Sequence, residues 1–418
     1  MDKEVSYDLL PSHNEKTLNA MKALRTVKRI TFNPSEANPG ETHNVYVPKL
    51  DENEVIVPNS LALIFDIDLS GGHANNFLVQ NVSRALVEKL VVKVAGAVLD
   101  ETVGHDIYKT FQDLFLPGEK RDNMVPEGIQ SEDLCRIRSN SGDKKTSGVD
   151  AENKLNEVYG SKYRINLDHQ ILTDHGVFYP QALYNDLVFE LTLAPASQVV
   201  RGSDTTKLKY KLTNIQLEYD MVRSTSLAEG AARIYDSGKE FAYDHVFRDK
   251  VVTFAKGTDT RINIKVNAQR RSMKGILLLF VEPYAAGTRD SEKYIFPDLK
   301  KISVTINGSP NMLYNNGIET RDIWSEVSRF FMKEEHKPHH MTLQKFYTKN
   351  KFGLLIDLRS MESQKMHGSG TRIVNSTDGI QLEIERDAKG SGQVNCHVYI
   401  ISDAMFGILN RQLESVQY

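Results

Sequence analysis

Cysteine is nearly absent from these 418 residues: Cys135 and Cys396 stand alone and far apart, without a Cys-x-x-Cys pair. That excludes a disulfide framework or thiolate metal cluster, and leaves two reduced thiols or at most one long-range bridge. Charge of one sign is lacking too, with 52 basic against 55 acidic residues, so neither nucleic acid nor a membrane surface is favoured electrostatically. No uninterrupted apolar run approaches the roughly 18 residues of a membrane-spanning helix. The first eleven residues, Met1 to Pro11, lack the basic-then-apolar order of a signal peptide. Helical periodicity is scarce. The chain is long enough for two domains, each burying its own core.

What fills the sequence is strand. Alternating or β-branched runs bounded by Gly, Pro, Asn and Asp occur at Val27–Phe32, Thr42–Val47, Leu61–Leu69, Lys89–Val94, Tyr163–Leu167, Leu187–Leu193 and Leu208–Tyr219. They recur at Phe241–Phe254, Arg261–Val266, Gly275–Val281, Lys301–Ile306, Phe352–Leu358, Ile380–Glu385 and Val394–Ile401.

Two helical exceptions match each other. Ile107, Tyr108, Phe111, Leu114 and Phe115 follow Asp106, and Ile323, Trp324, Val327, Phe330 and Phe331 follow Asp322. Both sets have the spacing i, i+1, i+4, i+7, i+8 of one helix face. The two Asp side chains are expected to cap the helices. Each stripe follows a strand and a tight turn, Ala95-Gly96 after Leu90–Val94 and Asn307-Gly308 after Ile302–Ile306. The correspondence extends upstream, where Leu61–Phe65 with the Gly71-Gly72 turn resembles Ile276–Phe280 with the turn at Gly287. Downstream, Lys162–Asp168 resembles Lys351–Asp357, and Leu187–Leu191 resembles Ile380–Ile384.

The order repeats over about 200 residues, which reads as one fold used twice. The expectation is an all-β chain of two tandem jelly-roll β-sandwiches, each with a crossover helix. Residues 1–25 read as an N-terminal arm, 26–223 as the first roll, 224–238 as a linker and 239–418 as the second roll. Residues 117–161, rich in Ser, Gly, Asp, Asn and Lys, read as a surface insertion.

Fold does not fix function, which rests on the chemistry of particular residues. A cupin metal site needs a close His-x-His with a following Glu, which neither half has. His169 and His175 flank a turn, and His336, His339 and His340 sit in a polar stretch with poor ligand spacing. Asp66 with Asp68, and Glu383 with Glu385, alternate onto what should be solvent faces rather than across a glycosidase cleft. Cys396 and His397 are adjacent on a strand and point to opposite faces, which argues against a nucleophilic pair. No Gly-x-Ser-x-Gly elbow or phosphate-binding loop occurs. The expectation is therefore no catalytic residue, no cofactor and no metal ligand: not an enzyme.

Basic clusters occur at Lys22, Arg25, Lys28 and Arg29, and at Gln269–Lys274, without the interleaved aromatics of a single-strand binder. The first cluster reads as a solvated terminal helix or as an arm lining a particle interior. Met366-His-Gly-Ser-Gly370 resembles the cleavage pattern of adenovirus-type maturation proteases, and reads equally as a Gly/Ser surface loop.

Nearly the whole chain resembles the double jelly-roll major capsid proteins of Polinton/Maverick-type elements and related small DNA viruses, kin in fold to the adenovirus hexon. The residues that carry the likeness are Ile30-Thr-Phe-Asn-Pro-Ser-Glu-Ala-Asn-Pro-Gly-Glu-Thr42, Lys211-Leu-Thr-Asn-Ile-Gln-Leu-Glu-Tyr219 and Phe296-Pro-Asp-Leu-Lys-Lys-Ile-Ser-Val-Thr-Ile-Asn-Gly-Ser-Pro-Asn311. The resemblance implies a homotrimeric capsomer in an icosahedral virion shell, with penton and minor capsid proteins as further partners and no sequence-specific nucleic acid or small-molecule substrate. A three-fold axis through a chain of two similar rolls gives six similar wedges and a nearly hexagonal tile. The insertion 117–161 and the hairpin–helix units are expected at subunit contacts, with the helix stripes and Trp324 in the core. The alternative is a tandem lectin- or cupin-like binding module, for which Asn311–Asn316 with Tyr314 is the candidate loop.

Overall fold

The computed structural model describes residues 24–69, 76–139, 162–173, 178–202, 207–266, 268–311, 314, 316–332, 338–360, 368–373, 379–387 and 392–418. Eight strands make the first roll. They are β1 (Leu24–Thr31), β2 (Thr42–Tyr46), β3 (Ala62–Asp68), β4 (Val87–Val94), β5 (Ala97–Val103), β6 (Lys162–Asn166), β7 (Leu187–Leu193) and β8 (Lys211–Arg223). Helix α1 (His105–Asp113) follows β5, and helix α2 (Thr225–Ser237) leads out of the roll.

The second roll holds β9 (Lys239–Phe254), β10 (Arg261–Val266), β11 (Arg270–Val281), β12 (Leu299–Ile306), β13 (Ser309–Pro310), β14 (Gly353–Asp357), β15 (Ile380–Arg386) and β16 (Val394–Leu409). Helix α3 (Thr320–Phe331) follows β13.

Sheet order establishes the repeat. The first roll pairs as β1-β8-β3-β6 and β2-β7-β4-β5, and the second as β9-β16-β11-β14 and β10-β15-β12-β13, all antiparallel. Adding eight to each strand number of the first roll gives the second. Both are jelly rolls, and short strands such as Glu54–Ile56 and Gln412–Gln417 extend them.

Local chemistry explains the elements. β7 alternates buried and half-buried residues along its whole length, and β10 alternates exposed and buried ones, the period of a sheet with one face on a core. The two hairpin turns are left-handed at both central residues, with φ of 54° and 78° at Ala95-Gly96 and 51° and 76° at Asn307-Gly308. That is the geometry whose twist matches paired strands. β13 is only two residues long and ends on Pro310, which has no amide to donate to a longer ladder.

One expectation is corrected. Neither Asp106 nor Asp322 is a cap. Gly104 and Glu319 hold those positions, and the two carboxylates lie inside the first helical turn, where they still oppose the helix dipole. Between the rolls, in the segment expected to link them, α2 buries Leu227, Ala228, Ala231 and Tyr235 against the first core. The described part of the insertion, 117–139, is partly helical and partly buried. It forms the helices Gly118–Asp122 and Glu132–Ser139 and buries Arg121, Met124, Ile129, Leu134 and Cys135. The rest of it, 140–161, lies outside the described residues, as do the Gly71-Gly72 turn and the arm up to residue 23.

Candidate functional site

The most highly built part of the chain is the seam where the two rolls meet, and α1 is its centre. Tyr108, Phe111, Leu114 and Phe115 of the first roll belong to the hydrophobic core of the second. Phe111 is fully buried. Its ring lies 5.2 Å from Tyr294, 5.7 Å from Phe331 and 5.2 Å from Phe115. Gly353 on β14 makes room for it, since a Cβ there would overlap the Phe111 ring. In exchange, Phe241, Tyr243, Ala404, Phe406 and Ile408 of the second roll join the core of the first. A swapped arrangement of this kind makes the rolls cooperative, because neither core is complete without the other.

Polar groups fix the register of the seam. Tyr399 donates to the Gly104 carbonyl at 2.8 Å and Tyr294 to that of Ile107 at 2.7 Å, which anchors the start of α1 on the second roll. Thr102 donates to Val246 at 3.0 Å and Tyr418 to Val98 at 2.6 Å. Arg289 reaches Asp106 at 2.5 Å, and Arg121 reaches Glu292 at 2.5 Å, both pairs buried. Glu292 also faces Lys351 at 3.5 Å. Charges so far from water need partners, since the loss of one leaves the other uncompensated. Beyond the helix, Gly118 donates to Pro338 at 3.0 Å, and the His339 ring donates to Phe115 at 3.0 Å.

The residues singled out in the sequence are not brought together. His339 is taken up by Phe115, and His340 is partly buried, which lowers its pKa. His169 packs on Tyr243 in the seam, while His175, His336 and Lys22 lie outside the described residues. Among the described residues no group of three or more His, Cys, Asp or Glu side chains could hold a metal ion. Glu383 and Glu385 both face Arg261, at 3.8 and 3.0 Å, and Asp66 accepts from Asn214 at 2.9 Å. These are cross-strand contacts of a half-exposed sheet face.

Cys396 is wholly buried and its thiol is pushed up by burial, the opposite of a nucleophile's tuning. Cys135 is pushed up to about 11 for the same reason. Burial takes His397 down to about 4.

Three cations of the two basic clusters have acidic partners. Arg25 pairs with Asp220, and Arg29 with Glu218 at 2.7 Å, across β1 and β8; β1 is a strand, so the terminal-helix reading is replaced. Lys274 is buried between Asp244 at 2.6 Å and Asp403 at 2.7 Å. Tyr314 is held by its hydroxyl against Glu326 at 3.0 Å and the Asp357 backbone at 2.9 Å. It is thus withdrawn from the exposed role a lectin loop requires. Met366 and His367 lie outside the described residues, and Gly370 is pressed against the backbone of Met273.

The stripes thus hold core positions, but at the joint of two rolls. Trp324 is half-buried there, its ring 6.5 Å from Phe115 and 5.2 Å from Phe346. The ion pairs were not foreseen, because their partners are separated by up to 183 residues in sequence. A buried Asp inside an apolar helix stripe was the available signal.

The fold defined by these sheets is the double jelly roll, and solved structures share it over the full chain. The PBCV-1 virus capsid structure matches with a TM-score of 0.60, covering 97% of this chain and 99% of that one at 11% identity. The Faustovirus major capsid protein matches at 0.58, covering 95% and 92% at 8% identity. The Sputnik virophage structure matches at 0.51, covering 99% and 92% at 11% identity. No protein-family profile and no curated protein matches the sequence.

Proposed function

We propose that this chain is a major capsid protein, the building block of an icosahedral shell of a DNA virus or virus-like element, and not an enzyme. The observation that carries the reading is the end-to-end likeness to structures named as a virus capsid and a major capsid protein, with almost nothing left over on either chain. Polinton/Maverick-type elements are the proposed lineage, on the segments at Ile30–Thr42, Lys211–Tyr219 and Phe296–Asn311. The division at residues 1–25, 26–223, 224–238 and 239–418 is part of the same proposal.

The seam supports the reading physically. A capsomer that repeats at a three-fold axis needs each chain to present two wedges at a fixed angle. Interlocked cores and buried ion pairs hold such an angle. Lattice contacts to neighbouring capsomers, to penton and to minor capsid proteins would fall on the outer faces. The site of action is the virion. Among the described residues no helix is long and apolar enough to cross a membrane.

The test is solution mass by light scattering on the purified full chain. A stable homotrimer supports the proposal, and a monomer that binds sugars tightly removes it in favour of the binding-module alternative.

A further inference from the structure

Four histidines, two from each roll, are buried along the seam: His105 and His169 from the first, His245 and His397 from the second. Their surroundings are poor in partners. The His105 ring bonds the Val87 backbone, and its Nδ1 has no partner among the described residues. His169 accepts the Ile171 amide at Nδ1, 3.2 Å away, so its proton is on Nε2, which is buried and unpartnered there. The His245 ring lies 4.8 Å from that of Tyr418, with Nε2 3.7 Å from Asp100 and Nδ1 unpartnered. His397 shares its strand face with Tyr399, the residue that anchors α1, and its Nδ1 is likewise unpartnered.

Two of the four, His105 and His169, line a cavity of about 250 Å³ between the rolls, together with Asp100, Lys109, Asp168 and Tyr243. Solvent protons therefore have a route to these two rings.

We propose that the seam is an acid-operated joint, closed while these histidines are neutral and loosened when they take up protons. The charged groups around them favour that direction. His105 faces Lys109 on its own helix, Arg84 from the short helix Val82–Ala85 and Asp168. His169 faces Asp168 and Lys109, and His245 faces Arg270, Asp100 and His169. His397 faces Arg248 and Arg289. Two of the carboxylates nearby are already engaged, Asp168 with Arg84 at 3.7 Å and Asp106 with Arg289 at 2.5 Å. New positive charge is thus added beside cations.

Burial takes His169, His245 and His397 down to about 4 and His105 well below its ordinary value. A histidine lowered in the closed state contributes stability above pH about 6.5, and that contribution is lost as pH falls toward 4. Asp100 works against this. Burial raises it to about 7, so the closed seam holds one proton that the open seam releases. Four histidines against one carboxyl leave a net uptake of at most about three protons, an opening constant rising up to about a thousandfold per pH unit. The joint belongs to the chain itself and does not depend on the capsid reading.

The only tryptophan, Trp324, lies against Phe115 at the far end of α1 and reports on the seam. The experiment follows its emission in the full chain from about pH 7.5 to 4.5, with far-UV circular dichroism alongside. A red shift below about pH 6.5, with strand signal retained, supports the joint. Carrying His169→Gln together with His245→Gln should move its midpoint down by at least about half a unit. Unchanged emission, a shift the double variant does not move, or simultaneous loss of strand signal overturns it. If that variant does not fold, hydrogen exchange on the unaltered chain decides. Protection factors that fall on acidification in α1 and β5 but not in the sheet interiors support the joint, and protection that is unchanged or falls uniformly contradicts it.

Discussion

Arg289 of the second roll and Asp106 of the first roll's helix meet at 2.5 Å, both side chains about 95% withdrawn from solvent and 183 residues apart in sequence. The pair sits beside Tyr294 and Tyr399, which bind the same helix by its carbonyls. It locks the entry of α1 into the second roll. Asp106→Ala should destabilise the chain by roughly 3–5 kcal/mol, because an unpaired guanidinium is left buried. Adding Arg289→Met to Asp106→Leu should recover much of that. Denaturant titration of the four proteins checks it, and a double variant as unstable as the single one would contradict the assignment.

Phe111 and Gly353 are complementary in shape. Gly353→Ala should cost roughly 1–3 kcal/mol by forcing the Phe111 ring aside. Phe111→Leu in the same chain should relieve part of that cost, a coupling that thermal melts of the double-mutant cycle can read. Phe111→Ala alone should cost roughly 3–5 kcal/mol.

Ala95 carries a left-handed backbone that costs an alanine roughly 1–2 kcal/mol. Ala95→Asn copies the residue that the second roll uses at the same place, Asn307, and should stabilise the first hairpin by roughly 0.5–1 kcal/mol. Gly308→Val should do the reverse in the second. Urea midpoints of the two variants should therefore move in opposite directions.

Cys135 and Cys396 should both resist a thiol reagent at about pH 8 in the folded chain, since burial raises both thiols. Labelling kinetics should follow unfolding of the rolls, and fast labelling of Cys396 would mean that the strand face it occupies is open.

Much of the architecture was legible because strands and stripes are local signals. The runs at Leu187–Leu193 and Arg261–Val266 coincide with β7 and β10, and the paired stripes fall on α1 and α3. β5, Ala97–Val103, was missed because its sequence, Ala-Val-Leu-Asp-Glu-Thr-Val, places two acids where an alternating pattern would be sought. The helix of 225–237 is only faintly legible, since its small residues give a narrow apolar face.

The seam itself was not legible. Asp106 reads as a cap when only its neighbours are known, and becomes an ion-pair partner when the fold brings Arg289 beside it. His169 reads as a turn residue and His397 as one more strand residue, and neither reading carries its burial. Their burial is a property of two rolls meeting, which no single run of sequence encodes.

Electron microscopy of the purified full-length protein tests the central claim most directly. The account predicts three-fold particles of nearly hexagonal outline, each of about three chain masses, with six similar lobes from the paired rolls. Single two-lobed particles at every concentration, with no three-fold species, would contradict it.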